Sequence, residues 1–535
     1  METNGDYEAI VIGAGLGGLA CAALLASDGR RVLVLERNDY LGGRCSAYER
    51  DGFTVDRGTH MITRIEGGPY AKLIRRLGLE GELRFICIES DDPPLIEFRG
   101  CRIPFPFAQW TRLHALALVP VCWRFSAREM VGSGLAMARM IADPGMAKRL
   151  DNIDFDTWLS RYMPEGPARD LVGSLPVPLF GVAPWELSAG MAITALQDWF
   201  TDASSGYPEG GSGAIAGTLA RFISDLGGNV ETSAPVERVT TYGGHVTGVR
   251  LEDGTRLRAP LVVSNLGIKD TMSRLIGARR LPGDYYHKVQ GYRETSMSTV
   301  QVKVALSRRL LDAPCVMGSP DAGIDLAAFY RYILAGRVPS SFMGIVNVPS
   351  NIDPALAPDG QQLLLGMMLS PCEAEDWEPW LDLCERGIED LVPGALQHAL
   401  WIERLTPLDV AASSGRTSTA SLGLAQLPHQ VRKDRPSVAT PIEGLYCVGD
   451  DTGGTAPAPN WPSTAPCAAI GGFKLQSRSI PRPPASGTAT TSVSKRKCES
   501  SVFYESRVSI GTAHSPSSGG GKSRSLEAAC RSGSF

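Results

Sequence analysis

Residues Tyr7 to Glu36 read YEAIVIGAGLGGLACAALLASDGRRVLVLE, and the order of residue types in this stretch decides the fold. Tyr7 to Ile12 is a short apolar run rich in β-branched residues, as expected of a buried parallel strand. Gly13, Gly15 and Gly18 follow at the G-x-G-x-x-G spacing. The first glycine permits a tight turn, the second lets the backbone approach a pyrophosphate, and the third lets a helix pack close to the strand. The alanine- and leucine-rich run to Ala26 is good helix, and Gly29 is placed to end it. The helix N-terminus would offer free N–H groups and a positive dipole end to phosphates. Arg31 to Leu35 reads as a second strand. Glu36 stands at its end, where a carboxylate accepts hydrogen bonds from ribose hydroxyls and disfavours a 2′-phosphate. A bare glycine pattern is a weak signal; the strand, helix, second strand and terminal acid around it make a dinucleotide site the expectation.

Further motifs follow downstream. Arg37 comes after the acid, then Leu41-Gly42-Gly43-Arg44, then GFTVDRGTH from Gly52 to His60. Glycines at 42 and 43 keep side chains from blocking a backbone approach, and Arg44 brings a forked set of donors suited to phosphate and similar acceptor oxygens. Tyr207-Pro208-Glu209-Gly210-Gly211 follows, and Gly227 to Asn265 reads as strands turning at Gly243-Gly244 and at Asp253-Gly254. Gly444 to Asp450, GLYCVGD, is an apolar strand ending in Gly449-Asp450.

On these motifs the chain resembles FAD-dependent oxidoreductases of the phytoene desaturase and flavin amine oxidase superfamily, over most of its length up to about Ile480. The resemblance implies an α/β architecture: a Rossmann-like FAD-binding domain with a discontinuous, mixed α+β substrate domain. It assigns residues 1–69, 204–266 and 426–480 to the first, 70–203 and 267–425 to the second, and leaves 481–535 as a tail. It implies FAD as cofactor, with Gly13, Gly15, Gly18, Glu36, Arg37, Gly43, Arg44, Val236, Gly449 and Asp450 in the cofactor site. The backbone of Val236 would lie against the adenine, and Asp450 would bond the ribityl chain. Asp56 and His60 fall near the flavin by the same resemblance, without a legible proton-transfer role. The match weakens after Asp450, where three prolines and Trp461 replace the usual small residues. Trp461 reads equally as a flavin-side wall or as a core tryptophan.

Composition bounds the rest. The chain has 535 residues, 43% hydrophobic, enough for two domains with real cores. A net charge of -4 gives no basic footprint for nucleic acid. The 12 cysteines show no Cys-x-x-Cys, so neither a zinc ribbon nor an iron–sulfur run is expected, and no metal site. No signal peptide is read at the N-terminus, which makes the cytoplasm the default compartment. From Pro481 onward serine, glycine, threonine and basic residues dominate, the composition of a disordered tail.

The substrate segments are thinner in signal. The first, from Tyr70, reads as helical and rich in Trp, Phe, Leu and Met. Its piece Ile103 to Cys122 is apolar but broken by Gln109, Arg112 and His114, too interrupted to span a membrane, which takes about 20 mostly apolar residues. Core packing is the simplest account of it; an interfacial helix giving peripheral membrane contact, or a tunnel mouth, is the alternative. In Ser298 to Leu306, Thr299, Gln301 and Lys303 should share one strand face. Lys303 is the one catalytic candidate, because amine oxidases carry a lysine in a comparable strand; the other account is a solvated lysine on an edge strand. The Tyr-Pro-x-Gly-Gly and Val-Val-Ser-Asn elements favour an oxidoreductase that moves hydride between a hydrophobic, isoprenoid- or polyene-like substrate and flavin N5. A saturase or isomerase, a flavin amine oxidase releasing hydrogen peroxide, and a non-catalytic flavin-binding module are the alternatives. Oligomeric state is not legible.

Overall fold

The computed structural model describes residues 7–58, 61–88, 93–98, 101–104, 125–202, 204–318 and 326–453. His60, Trp461, the tail from Pro481 and all of Ile103 to Cys122 beyond Pro104 lie outside the described residues.

A five-stranded sheet gathers segments far apart in the chain. Its order is Asn229–Glu231, Val32–Leu35, Ala9–Ile12, Val262–Ser264, Leu445–Cys447, and every neighbouring pair is parallel. The unbroken apolar runs are explained by burial on both faces. Ala9, Val11, Val32 and Val34 pack with the helix Leu16–Ser27 and with Ile215, Leu219 and Ile223 of the helix Gly213–Asp225. Ile10, Ile12, Leu33 and Leu35 pack on the other side against Val239, Val249 and Leu257. Those three belong to an antiparallel layer of Val236–Tyr242, His245–Leu251 and Arg256–Arg258, turning at the Gly243-Gly244 and Asp253-Gly254 positions expected.

Gly18 is glycine for packing reasons: a Cβ there would stand 2.1 Å from the Gly13 carbonyl oxygen. Gly42 has φ +96 and a Cβ would lie 2.3 Å from the Cys45 carbonyl oxygen, so no other residue makes this turn without strain.

The second sheet has seven strands in the order Ala399–Leu405, Met297–Leu306, Gln362–Pro371, Gly344–Asn347, Cys315–Gly318, Leu95–Phe98, Cys101–Pro104. All its pairs are antiparallel except Cys315–Gly318 with Leu95–Phe98. Val300, Val302, Val304 and Leu364 turn to a core closed by the helices Leu326–Leu334 and Glu378–Leu391. Two expectations are corrected here. Met297–Leu306 is an interior strand, so Lys303 is no edge lysine in water; it is 1% exposed. The first substrate segment is only partly helical among the described residues: Pro69–Leu77 is a helix, Phe85–Cys87, Leu95–Phe98 and Cys101–Pro104 are strands, and helices dominate from Ala127 onward. Its helices Ala127–Ala142, Phe155–Leu159 and Ala189–Thr201 share a separate core around Trp158 and Ile193.

Candidate functional site

The carboxyl ends of Ala9–Ile12 and Val262–Ser264 open into a cavity of about 820 Å³. This is the crevice where parallel α/β sheets bind ligands. One end is lined by Gly13, Gly15, Gly17 and the Gly42-Gly43-Arg44 turn, with Glu36, Arg37 and Val236 to one side and Gly449 and Asp450 to the other. The other end is lined by one face of the seven-stranded sheet, with Thr299, Gln301, Ile345, Asn347, Met367 and Leu369, and by Met61, Pro178 and Leu179.

The helix Leu16–Ser27 begins at Gly15 without a side-chain cap, so its first N–H groups face the cavity unsatisfied. Asn265, which follows the strand Val262–Ser264, lies across the glycine turn. A Cβ at Gly15 would stand 2.6 Å from its Oδ1, and one at Gly17 2.7 Å from its Nδ2. Asn265 also donates to the Val448 carbonyl at 3.2 Å, tying the end of Val262–Ser264 to the end of Leu445–Cys447. It is a site residue that the sequence motifs did not single out, although it is the Asn of Val-Val-Ser-Asn.

Glu36 is 5% exposed. Its carboxylate accepts from Ala14 N at 2.8 Å and Asn38 N at 2.9 Å, which orients it and leaves lone pairs for further donors. Arg37 donates to the Ala412 carbonyl at 3.4 Å.

Arg44 and Asp450 are brought together: the guanidinium meets the carboxylate at 2.7 Å and also donates to the Ser421 carbonyl. Arg416, absent from the sequence motifs, pairs with the same carboxylate from a largely buried position. Arg435 donates to the Asp450 backbone carbonyl at 2.5 Å. Burial alone would push the Asp450 carboxyl up, but Arg416 and Arg44 hold it below the usual carboxylate range. Asp451 beside it accepts from Ile268 N at 3.0 Å and Leu424 N at 2.9 Å, fixing the loop after the last strand.

Two sequence candidates fall outside the cavity wall. Asp56 accepts from Tyr207 and from Ser212, whose hydroxyl donates at 2.6 Å, so it joins its strand to the start of the helix Gly213–Asp225. Lys303 pairs with Glu403 at 3.2 Å and reaches the Tyr48 hydroxyl at 3.4 Å. Burial lowers its pKa, against the opposing pull of Glu403. The expected shared face is real, since Thr299, Gln301 and Lys303 pair in turn with Leu369, Met367 and Leu365. Lys303 is not among the lining residues, although Asn347 of the same cross-strand row is.

The fold and the site have clear relatives. Residues 16–458 match the family model of flavin containing amine oxidoreductases, and the chain belongs to that family. It is 28% identical over 483 residues to a zeta-carotene-forming phytoene desaturase of Myxococcus xanthus, covering 83% of this chain and 89% of that one. It is 25% identical over 496 residues to the chloroplastic prolycopene isomerase of Arabidopsis thaliana (83% and 79%). To the all-trans-retinol 13,14-reductase of Homo sapiens it is 30% identical over 310 residues (52% and 50%). Among solved structures it is similar to an oxidoreductase from Methanosarcina mazei, with TM-score 0.64, 20% identity and 86% and 99% of the two chains covered. A putrescine oxidase bound to putrescine gives TM-score 0.57 at 17% identity (86% and 97%).

The protein is thus an FAD-dependent oxidoreductase, and its residues suit that cofactor. The glycine turn leaves no room for a Cβ where a pyrophosphate needs the backbone, the helix end above it is uncapped, and a buried acceptor stands at the end of the second strand.

Proposed function

We propose that this protein transfers hydride between FAD and a hydrophobic, isoprenoid- or polyene-like substrate, in the manner of a desaturase, saturase or isomerase of carbon–carbon bonds. The observation that carries the reading is the continuity of the cavity, from the glycine turn to a wall of Ile345, Met367, Leu369, Met61 and Leu179. Bound FAD would supply a two-electron acceptor or donor at flavin N5. The protein's own part is to hold and orient. Glu36 takes ribose hydroxyls, the uncapped helix end and the Gly13 to Gly17 backbone take the pyrophosphate, and Gly43, Arg37 and Val236 shape the cofactor channel. Asp450, held ionised by Arg44 and Arg416, sits where it can accept from a polyol chain. Residues 1–69, 204–266 and 426–480 would carry the cofactor, and 70–203 with 267–425 the substrate. The relatives named above support an apolar substrate.

Amine oxidation finds less support. Tyr70 is the one aromatic residue among the described residues of the cavity wall, so the described residues form no cage for a cation there. The carboxylates among the described wall residues, Glu36, Glu237, Glu252 and Asp450, belong to its cofactor end. Lys303 is held by Glu403 and Tyr48, and we assign it a structural role. Incubation of the FAD-loaded protein with an isoprenoid polyene should change the length of its conjugated system, read from the substrate's absorption bands. Unchanged polyenes together with peroxide release from amines would overturn the reading.

A lipid surface is the proposed source of the substrate, met in the cytoplasm. The helix Ala127–Ala142 exposes Met130, Val131, Leu135 and Ile141, each between 46% and 64% accessible. They form one stripe with Arg128 and Arg139 at its edge, as in helices that lie at a membrane interface. No helix among the described residues is long and apolar enough to cross a membrane.

A further inference from the structure

We infer that the substrate end of the cavity is built for an apolar chain bearing a hydroxyl group, and that Gln301 holds that hydroxyl. The inference rests on the reading above that an isoprenoid-like molecule enters the cavity, and it narrows which one. Gln301 lies in the middle of the interior strand Met297–Leu306, opposite Met367, which in turn lies opposite Ile345. All three line the cavity. Gln301 is 4% exposed, and its Oε1 is buried without a hydrogen-bond partner among the described residues. Buried polar atoms are nearly always paired, and one left unpaired in a ligand cavity points to a partner that arrives with the ligand.

Its neighbours sharpen the contrast. The Ser298 hydroxyl donates to the Thr419 carbonyl at 3.0 Å, and Lys303 is held by Glu403. Of this run, Gln301 alone combines a place in the cavity wall with a buried oxygen that has no hydrogen-bond partner among the described residues. Asn347 stands in the adjacent cross-strand row, opposite Leu365, and also lines the cavity. Two neutral amides, with Thr299 in the next row, therefore make one uncharged polar spot beside Ile345, Met367 and Leu369. A neutral amide suits a neutral donor. A hydroxyl can donate to Oε1, and its own oxygen can accept from an amide N–H; a pure hydrocarbon leaves the Gln301 oxygen buried and unpaired, and a cationic amine would call for a carboxylate.

The test compares a C20 isoprenoid alcohol with the hydrocarbon of the same chain length, both titrated into the FAD-loaded protein by quenching of tryptophan fluorescence. The native protein should bind the alcohol about tenfold more tightly. Gln301→Leu should abolish that preference, weakening the alcohol and tightening the hydrocarbon. Gln301→Met, closer in shape, carries the same expectation if the leucine variant does not fold. An alcohol preference that survives both substitutions overturns the inference. So does a shift of the flavin absorption bands in the variants with the preference unchanged, because the amide would then belong to the flavin. Equal binding of both ligands by native protein overturns this inference but leaves the functional reading standing; binding of neither overturns both.

Discussion

Asp450 shows how single residues set the chemistry of this site. Its carboxylate lies between the guanidiniums of Arg44 and Arg416, and its pKa is lowered in the fold. A depressed carboxyl contributes stability that is present above its unfolded value, about 3.9, and is lost as pH falls through the folded value. Acid unfolding of Asp450→Asn should therefore depend less steeply on pH below about 4 than that of the native protein, as read by circular dichroism. Glu36 is tested by its proposed ligand. Glu36→Gln turns one acceptor oxygen into a donor, which should raise the FAD dissociation constant about tenfold or more, measured by flavin fluorescence. Lys303→Met should leave flavin reduction within roughly threefold while lowering stability in urea by roughly 2–4 kcal/mol, because Glu403 loses its partner. The double variant with Glu403→Gln should recover part of that loss. A Lys303 variant that is stable yet cannot be reduced by substrate would return the lysine to catalysis.

At the scale of elements, the two sheets meet at the cavity for different reasons. The parallel sheet delivers its carboxyl ends, and the seven-stranded sheet delivers a face. Gly18→Ala tests the first, since its Cβ would press on the Gly13 carbonyl oxygen. It should cost about 1–3 kcal/mol and reduce the flavin content of purified protein, measured as the ratio of flavin to protein absorbance. The strand, glycine turn and helix from Tyr7 to Ser27 were legible because every determinant is local, and the same holds for the hairpins at Gly243-Gly244 and Asp253-Gly254. The depth of Lys303 was not. Alternation along the strand places it on the face of Gln301, but only the pairing with Ala399–Leu405, about a hundred residues on, buries it. Phe85 to Pro104 misled because its strands are short and one of them pairs with Cys315–Gly318, far away in sequence. Arg416 carries no motif, and its role appears only when the last strand brings Asp450 to it.

Across the whole molecule, the parallel sheet is assembled from three regions: Ala9–Leu35, Asn229–Ser264 and Leu445–Cys447. A ligand lying over their ends should stabilise all of them together, so FAD at a hundredfold excess over its dissociation constant should add about 2.7 kcal/mol to unfolding. The exposed stripe of the helix Ala127–Ala142 belongs to this scale too. Replacing Met130, Val131, Leu135 and Ile141 by serine should abolish cosedimentation with liposomes while leaving flavin content intact; undiminished cosedimentation would remove this helix from the account. The central claim is tested most directly by anaerobic titration of the FAD-loaded protein, following the flavin absorbance band as isoprenoid lipids and then amines are added. The account predicts bleaching by an isoprenoid and none by amines. Bleaching by amines alone, or no flavin retained after FAD is added, would contradict it.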